Sequence, residues 1–174
     1  DNIALRNPDI SEETRDQLKK IGGSAKHLLS LINDILDMSR IESGRMTIRQ
    51  EEFSFGNMME QINTMIEAQC DDRGLVFECR IRGEVDDYYI GDDMKLKQVI
   101  INILGNAVKF TPSPGTITFT VEELEREDDR ARLCFTMKDT GVGMDKEYLP
   151  RIFEAFSQEN EGTSNKYGST GLGM

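Results

Sequence analysis

The sequence predicts an α+β protein: a two-layer α/β sandwich, in which helices cover one face of a mixed sheet, preceded by a helical segment. First, apolar residues recur at steps of three and four through the first 44 residues. Second, from residue 45 onward short strand patterns alternate with amphipathic helices. Third, helix-capping residues, glycines and prolines separate these segments.

The N-terminal helix is predicted to follow the turn at Pro8 and to end near Gly44, with Asp9 or Ser11 as its cap. Its apolar seam is a heptad pattern over most of four heptads, formed by Leu18, Ile21, Ala25, Leu28, Ile32 and Ile35. One helix cannot bury such a stripe. We therefore expect it to pair with a second chain in a helical bundle, although packing on its own globular domain is the alternative.

The remaining residues are predicted to alternate strands and helices. A Ser54-capped helix reaches about residue 71, and an Asp92-capped helix reaches about Lys109. A short helix is expected after Asp145. The predicted strands are 45–53, 75–82, the short edge strand 88–90, and the pair 116–122 and 132–138, joined by a charged loop at 125–130.

Composition argues against nucleic-acid binding, membrane binding and secretion. A net charge of −11 disfavours nucleic acid and anionic membrane surfaces as partners. There is no apolar run of about eighteen residues that would span a bilayer, and no secretory leader opens the chain. Three widely spaced cysteines suggest reduced thiols, and hence a cytoplasmic location, although a parent protein with a membrane anchor remains compatible.

One helix combines two amides and an amine. Asn102, Asn106 and Lys109 fall within about 60° of one another on a helical wheel, opposite an apolar face. A solvated polar face explains this arrangement in many helices. However, asparagine is a poor helix former in interior positions, and an amide oxygen is a suitable ligand for Mg²⁺. Lys109 can meet a phosphate as a point charge.

Two glycine motifs follow. Asp139 ends a predicted strand, and Gly141 and Gly143 follow it. The carboxylate is a suitable acceptor for the exocyclic amine of adenine, although an ordinary Asp-x-Gly turn gives the same pattern. Further on, a polar loop is punctuated by Gly168, Gly171 and Gly173, and such loops either present N–H groups to phosphate or act as linkers. Between the motifs, the polar stretch from Glu154 to Gly168 is predicted to form a mobile lid, with the two phenylalanines of Ile152–Phe156 either at its hinge or in the core.

Together these motifs resemble the catalytic domain of sensor histidine kinases. Residues 98–111 resemble the asparagine box of that family, 139–143 and 168–173 its two glycine boxes, and 152–156 its phenylalanine box. Residues 31–42 resemble the second helix of its dimerisation hairpin. The resemblance implies a Bergerat-type ATP-binding domain at 45–174 and a partial dimerisation and phosphotransfer hairpin at 1–44.

The resemblance also assigns roles by position. Asn106 becomes the Mg²⁺ ligand, Asn102 and Lys109 act in catalysis at the phosphates, Phe110 packs on adenine and Asp139 binds the adenine amine. The remaining nucleotide-binding residues that it implies are Gly141, Gly143, Phe153, Gly168, Thr170, Gly171, Leu172 and Gly173. The implied partners are a second copy of the chain and the receiver domain of a response regulator.

Gyrase, mismatch-repair and chaperone ATPases resemble the same domain. They place a glutamate at the position of Asn102, where it activates water. An amide cannot accept that proton, so Asn102 favours transfer to a nitrogen nucleophile over hydrolysis.

Two departures concern the acceptor and the end of the chain. The only histidine, His27, lies between Lys26 and Leu28 and does not match the phosphoacceptor motif. Histidine kinases continue with a helix and two strands where this sequence stops, at Met174. We therefore expect a fragment that binds ATP weakly or not at all and does not phosphorylate itself. The alternative is a non-catalytic module for dimerisation and response-regulator docking with an incomplete nucleotide site.

Overall fold

A computed structural model describes residues 10–152 of the 174-residue chain. The chain divides between Met46 and Thr47 into two compact units, and each unit is described by itself. None of the helices in this part of the chain is long and apolar enough to cross a bilayer. The predictions for the side chain of His27 and for Phe153, Gly168, Thr170, Gly171, Leu172 and Gly173 lie outside this description.

The described part of the first unit contains one long helix, α1 (Glu12–Glu42). Ser11 caps it by accepting a hydrogen bond from the Thr14 amide at 3.2 Å, and Gly44 leaves it with a φ of 65°. The predicted seam is largely open to solvent: Ile21 is 61% exposed, Leu28 59% and Ile32 47%. Within its own unit, α1 therefore leaves its apolar stripe uncovered.

The second unit holds the mixed sheet and its helices. Its elements are β1 (Glu51–Ser54), α2 (Phe55–Asp71), β2 (Leu75–Arg82), β3 (Tyr88–Gly91), α3 (Asp93–Phe110), β4 (Gly115–Glu127), β5 (Arg130–Asp139) and a 3₁₀ turn at Leu149–Arg151. In the main sheet, β4 lies between β2, which is parallel to it, and β5, which is antiparallel. In a separate ribbon, β1 pairs with β3 in antiparallel register.

The core lies between the main sheet and helices α2 and α3. Alternate residues of β4 point into it, as the period of a strand requires. Each fully buried aliphatic or aromatic side chain contributes about 1.5–3 kcal/mol. Among the most deeply buried side chains in this core are Phe55, Ile62, Ile66, Ile100, Leu104, Ile117, Phe119 and Val121. The predicted α+β sandwich, with helices on one face of a mixed sheet, is confirmed.

Both predicted caps are present. The Ser54 hydroxyl accepts a hydrogen bond from the Asn57 amide at 3.3 Å, which starts α2. Asp92 starts α3 by accepting from the Lys95 amide at 3.0 Å, and its other carboxylate oxygen accepts from the Arg49 amide at 3.1 Å. These two backbone N–H groups hold the pKa of Asp92 below its usual value.

Two of the predicted boundaries are wrong. The strand predicted at 45–53 begins only at Glu51, because β3 offers partners to just four residues and the Arg49 amide is bonded to Asp92 instead. The predicted loop at 125–130 is mostly strand. Its ladder continues to the pair Glu127–Arg130, and a salt bridge of 3.0 Å joins Glu125 to Arg132 across it.

Candidate functional site

The second half of α3 separates a buried face from a polar one. Leu104, Ala107 and Val108 are buried in the core, whereas Asn102 is exposed and Asn106 is half-buried. The buried face anchors the helix on the sheet, so its polar face is held in a fixed orientation. The two asparagines lie one turn apart on that face.

Lys109 and Phe110 close this helix side by side. The Lys109 ammonium lies over the Phe110 ring, 5.1 Å from its centroid, and both side chains are half-buried. Burial lowers the pKa of Lys109. An anion beside it would restore the preference for the charged form.

Asp139 is the last residue of β5 and turns back on its own backbone. Its Oδ1 accepts a hydrogen bond from the Gly141 amide at 2.8 Å, the geometry of an Asx turn. The side chain remains exposed. Gly143, with a φ of 72°, adopts a left-handed conformation that favours glycine.

The end of α3 and this turn are in direct contact. The Phe110 carbonyl accepts a hydrogen bond from the Val142 amide at 3.3 Å. Gly141 lies so close that a Cβ on it would be 2.7 Å from the Phe110 carbonyl oxygen and 2.6 Å from Oδ1 of Asp139. The structure therefore brings Phe110, at the end of α3, against the turn that contains Asp139 and Gly141.

A second set of contacts holds the turn against the sheet. Thr140 and Thr116 exchange two hydrogen bonds: the Thr140 amide donates to the Thr116 carbonyl at 3.1 Å, and the Thr116 amide donates to Oγ1 of Thr140 at 3.0 Å. Beside them, a Cβ on Gly115 would be 2.4 Å from a Thr111 methyl group. These contacts fix the point at which the chain leaves β5 after Asp139.

Four residues that hold this junction were not predicted from the sequence: Gly115, Thr116, Thr140 and Val142. Thr140 and Val142 lie inside the Asp-Thr-Gly-Val-Gly motif, so their position was a usable signal. Gly115 and Thr116 carry no such signal, because their contacts join segments that are distant along the chain.

The set of available ligands limits how a metal ion could bind. Within residues 10–152, no three His, Cys, Asp or Glu side chains form a group that could hold a metal ion by themselves. With these residues alone, a Mg²⁺ ion near α3 would depend on an amide ligand together with ligands from outside this part of the chain. This is how Mg²⁺ commonly binds with nucleotide phosphates and water.

Comparison with known proteins agrees with this geometry. Residues 91–174 match the family described as histidine kinase-, DNA gyrase B- and HSP90-like ATPase, and residues 3–44 match the His Kinase A phospho-acceptor domain. The sensory/regulatory protein RpfC of Xanthomonas campestris is 37% identical over 94% of this chain. The signal transduction histidine-protein kinase BarA of Escherichia coli is 34% identical over 95% of this chain.

Among solved structures, full-length ShkA in complex with AMPPNP superposes with a TM-score of 0.72 and 28% identity. The match covers 97% of this chain and 34% of ShkA. This chain spans 23% of the length of RpfC and 18% of that of BarA. With matches to both characteristic domains and to these relatives, the chain belongs to the sensor histidine kinase family, with a dimerisation segment followed by an ATPase-type domain.

Proposed function

We propose that this chain is the ATP-binding catalytic portion of a protein histidine kinase. The kinase transfers the γ-phosphoryl group of ATP to a histidine, from which it passes to an aspartate of a response regulator. In this proposal, residues 45–174 form the catalytic domain and residues 1–44 part of the dimerisation and phosphotransfer hairpin. The family assignment and the AMPPNP bound to the related ShkA support ATP as the donor.

One observation carries the proposal: the Phe110 carbonyl accepts a hydrogen bond from the Val142 amide and lies close to Gly141. In this proposal, the end of α3 and the turn that begins at Asp139 are therefore parts of one site. A ligand there meets amide and amine groups on one side and a carboxylate on the other. A nucleotide has matching groups, because its phosphates are anionic and its adenine carries an amine.

Each residue of the proposed site has a role that follows from its chemistry. Asp139 accepts from the adenine amine, which guanine lacks at that position, and Phe110 packs against the base. Lys109 pairs with phosphate, and Asn106 offers its amide oxygen to Mg²⁺, with Asn102 beside it. Gly141 gives the turn the close backbone approach that a side chain would block, and Gly143 gives it a left-handed conformation that favours glycine. The bound Mg²⁺ would supply neutralisation of phosphate charge.

The proposed transfer needs little proton chemistry from the protein. A neutral imidazole attacks with its own lone pair, the new N–P bond replaces the bond to the bridging oxygen, and ADP leaves. Water can take up the remaining imidazole proton. Asn102 cannot act as a base towards water, so positioning and electrostatics carry the catalysis.

The proposed assembly is a homodimer through the helical segment, located in the cytoplasm. Its support is the exposed stripe of α1, on which Ile21, Leu28 and Ile32 are all about half exposed or more. A stripe of this kind becomes stable when a second helix covers it. Membership of the family also makes a response-regulator receiver domain the expected acceptor partner.

The test uses the natural full-length protein with radiolabelled ATP and Mg²⁺. We expect phosphoprotein that is labile to acid and stable to base, as phosphohistidine is, and its loss in Asn106→Ala. Asp139→Asn should weaken ATP binding and reduce discrimination against GTP. ATP hydrolysis without a phosphoprotein would instead favour a gyrase-like ATPase.

The second candidate is a non-catalytic module for dimerisation and response-regulator docking. One observation favours it: the single histidine, His27, lacks the neighbours of a phosphoacceptor. Under this alternative, the full-length protein binds a receiver domain whether or not ATP is present and forms no phosphohistidine. The labelling experiment separates the two candidates.

A further inference from the structure

Three of the last four carbonyl groups of α3 have partners from outside the helix ladder. Helix C-termini leave these groups without intrahelical donors, so the donors that reach them decide how the last turn is held. The Ala107 carbonyl accepts from the Thr111 hydroxyl at 2.6 Å, besides the helical bond from the Thr111 amide at 3.1 Å, and the Phe110 carbonyl accepts from the Val142 amide at 3.3 Å. The Val108 carbonyl accepts from Nη1 of Arg73 at 2.8 Å.

Arg73 comes from the loop between α2 and β2, 35 residues away along the chain. It is the one charged donor among these three, and a cation at a helix C-terminus is favoured by the helix dipole. Hydrogen bonds from charged groups are roughly twice as strong as neutral ones. The residues that follow Val108 directly are Lys109 and Phe110.

We infer that Arg73 is a positioning residue for the nucleotide site. By holding the Val108 carbonyl, its guanidinium fixes the last turn of α3. It thereby sets the direction of the Lys109 and Phe110 side chains and of the Phe110 carbonyl that receives Val142. Arg73 itself need not touch the nucleotide. The inference rests on the proposed function only in that the site it shapes is a nucleotide site.

The chain offers a matched control for a purely structural effect. Ser113 fastens the same loop to the segment after α3, through a hydrogen bond of 3.0 Å from its hydroxyl to the Gly74 carbonyl. This bond does not involve a carbonyl of α3. Loss of either bond loosens the loop, but only loss of the Arg73 bond removes a donor from the last turn of α3.

The experiment compares Arg73→Met, Arg73→Lys and Ser113→Ala in the natural full-length protein. Met keeps much of the length of the side chain without a donor, whereas Lys still provides one. We expect Arg73→Met to raise the KM for ATP about tenfold with a much smaller change in kcat. Arg73→Lys should restore most of the loss, and Ser113→Ala should leave the KM unchanged.

Hydrogen exchange provides a readout that does not depend on nucleotide. The Val142 amide should exchange faster in Arg73→Met than in wild type or Ser113→Ala, because its acceptor is no longer held in place. Thermal melts check that each variant is folded. Equal KM values in wild type and Arg73→Met overturn the inference, as do equal effects of Arg73→Met and Ser113→Ala. If wild type itself fails to bind ATP, the proposed function fails, and the exchange comparison still tests the link from Arg73 to Val142.

Discussion

Gly141 allows the sharpest perturbation of the site, because its replacement by alanine adds a single carbon. That carbon would be 2.6 Å from Oδ1 of Asp139, 2.7 Å from the Phe110 carbonyl oxygen and 3.1 Å from the Phe110 carbonyl carbon. Ordinary contacts begin near 3.4 Å. Relief therefore requires the Asp139 carboxylate and the end of α3 to move apart by most of an ångström.

The expected cost has two parts. Overpacking of this kind typically destabilises by about 1–3 kcal/mol. For a protein of this size, each 1 kcal/mol lowers the melting temperature by roughly 2–4 °C. The second part is the displacement of Asp139 from the direction set by the Gly141 amide at 2.8 Å. If Asp139 accepts from adenine, ATP affinity falls about tenfold or more in the folded variant.

The assay is calorimetric titration of Mg-ATP into full-length wild type and Gly141→Ala, at a temperature where melts show both to be folded. Gly56→Ala is the control, because Gly56 lies in α2 and nothing lies within 4 Å of a Cβ built on it. That variant should bind ATP like wild type. The reasoning is refuted if Gly141→Ala is folded and binds ATP with wild-type affinity, or if the control loses affinity to the same degree.

Three further predictions test other parts of the account. Asp92 has a depressed pKa in the folded state, so its contribution to stability is present above its unfolded pKa of about 4 and is lost as the pH falls through the lower folded value. Asp92→Asn should therefore flatten the acid side of a melting-temperature curve, and an unchanged curve would contradict the cap. Gly74→Ala should lose about 1–2 kcal/mol in urea unfolding, because the φ of Gly74 is 65°; no loss would show that the left-handed conformation is not required. Ile32→Glu should reduce self-association in sedimentation experiments while leaving ATP affinity unchanged, and an undiminished dimer would place the interface elsewhere.

The sequence predicts best what local chemistry decides. Ser54 and Asp92 cap helices where their short polar side chains reach nearby amides, and both helices begin as predicted. The apolar faces of α2 and α3 follow from their periodicity in the same way. The position of Asp139 at the end of a strand was likewise readable from the apolar run before it.

The misses come from long-range pairing. The residues before Glu51 have strand-like composition, but a ladder also needs a partner, and β3 pairs with only four residues. In the β4–β5 hairpin, the polar composition of residues 125–130 suggests a loop. Opposite charges across the two strands instead favour pairing that continues to Glu127. Arg73 reaches Val108 only because the fold brings two distant segments together.

A crystal structure of the full-length protein with Mg²⁺ and a non-hydrolysable ATP analogue tests the central claim most directly. The account predicts that the adenine amine donates to Asp139, and that Asn106 and Lys109 contact the metal and the phosphates. A nucleotide bound away from the junction of Phe110 and Gly141, or with its base at Asn106 and its phosphates at Asp139, would contradict this expectation.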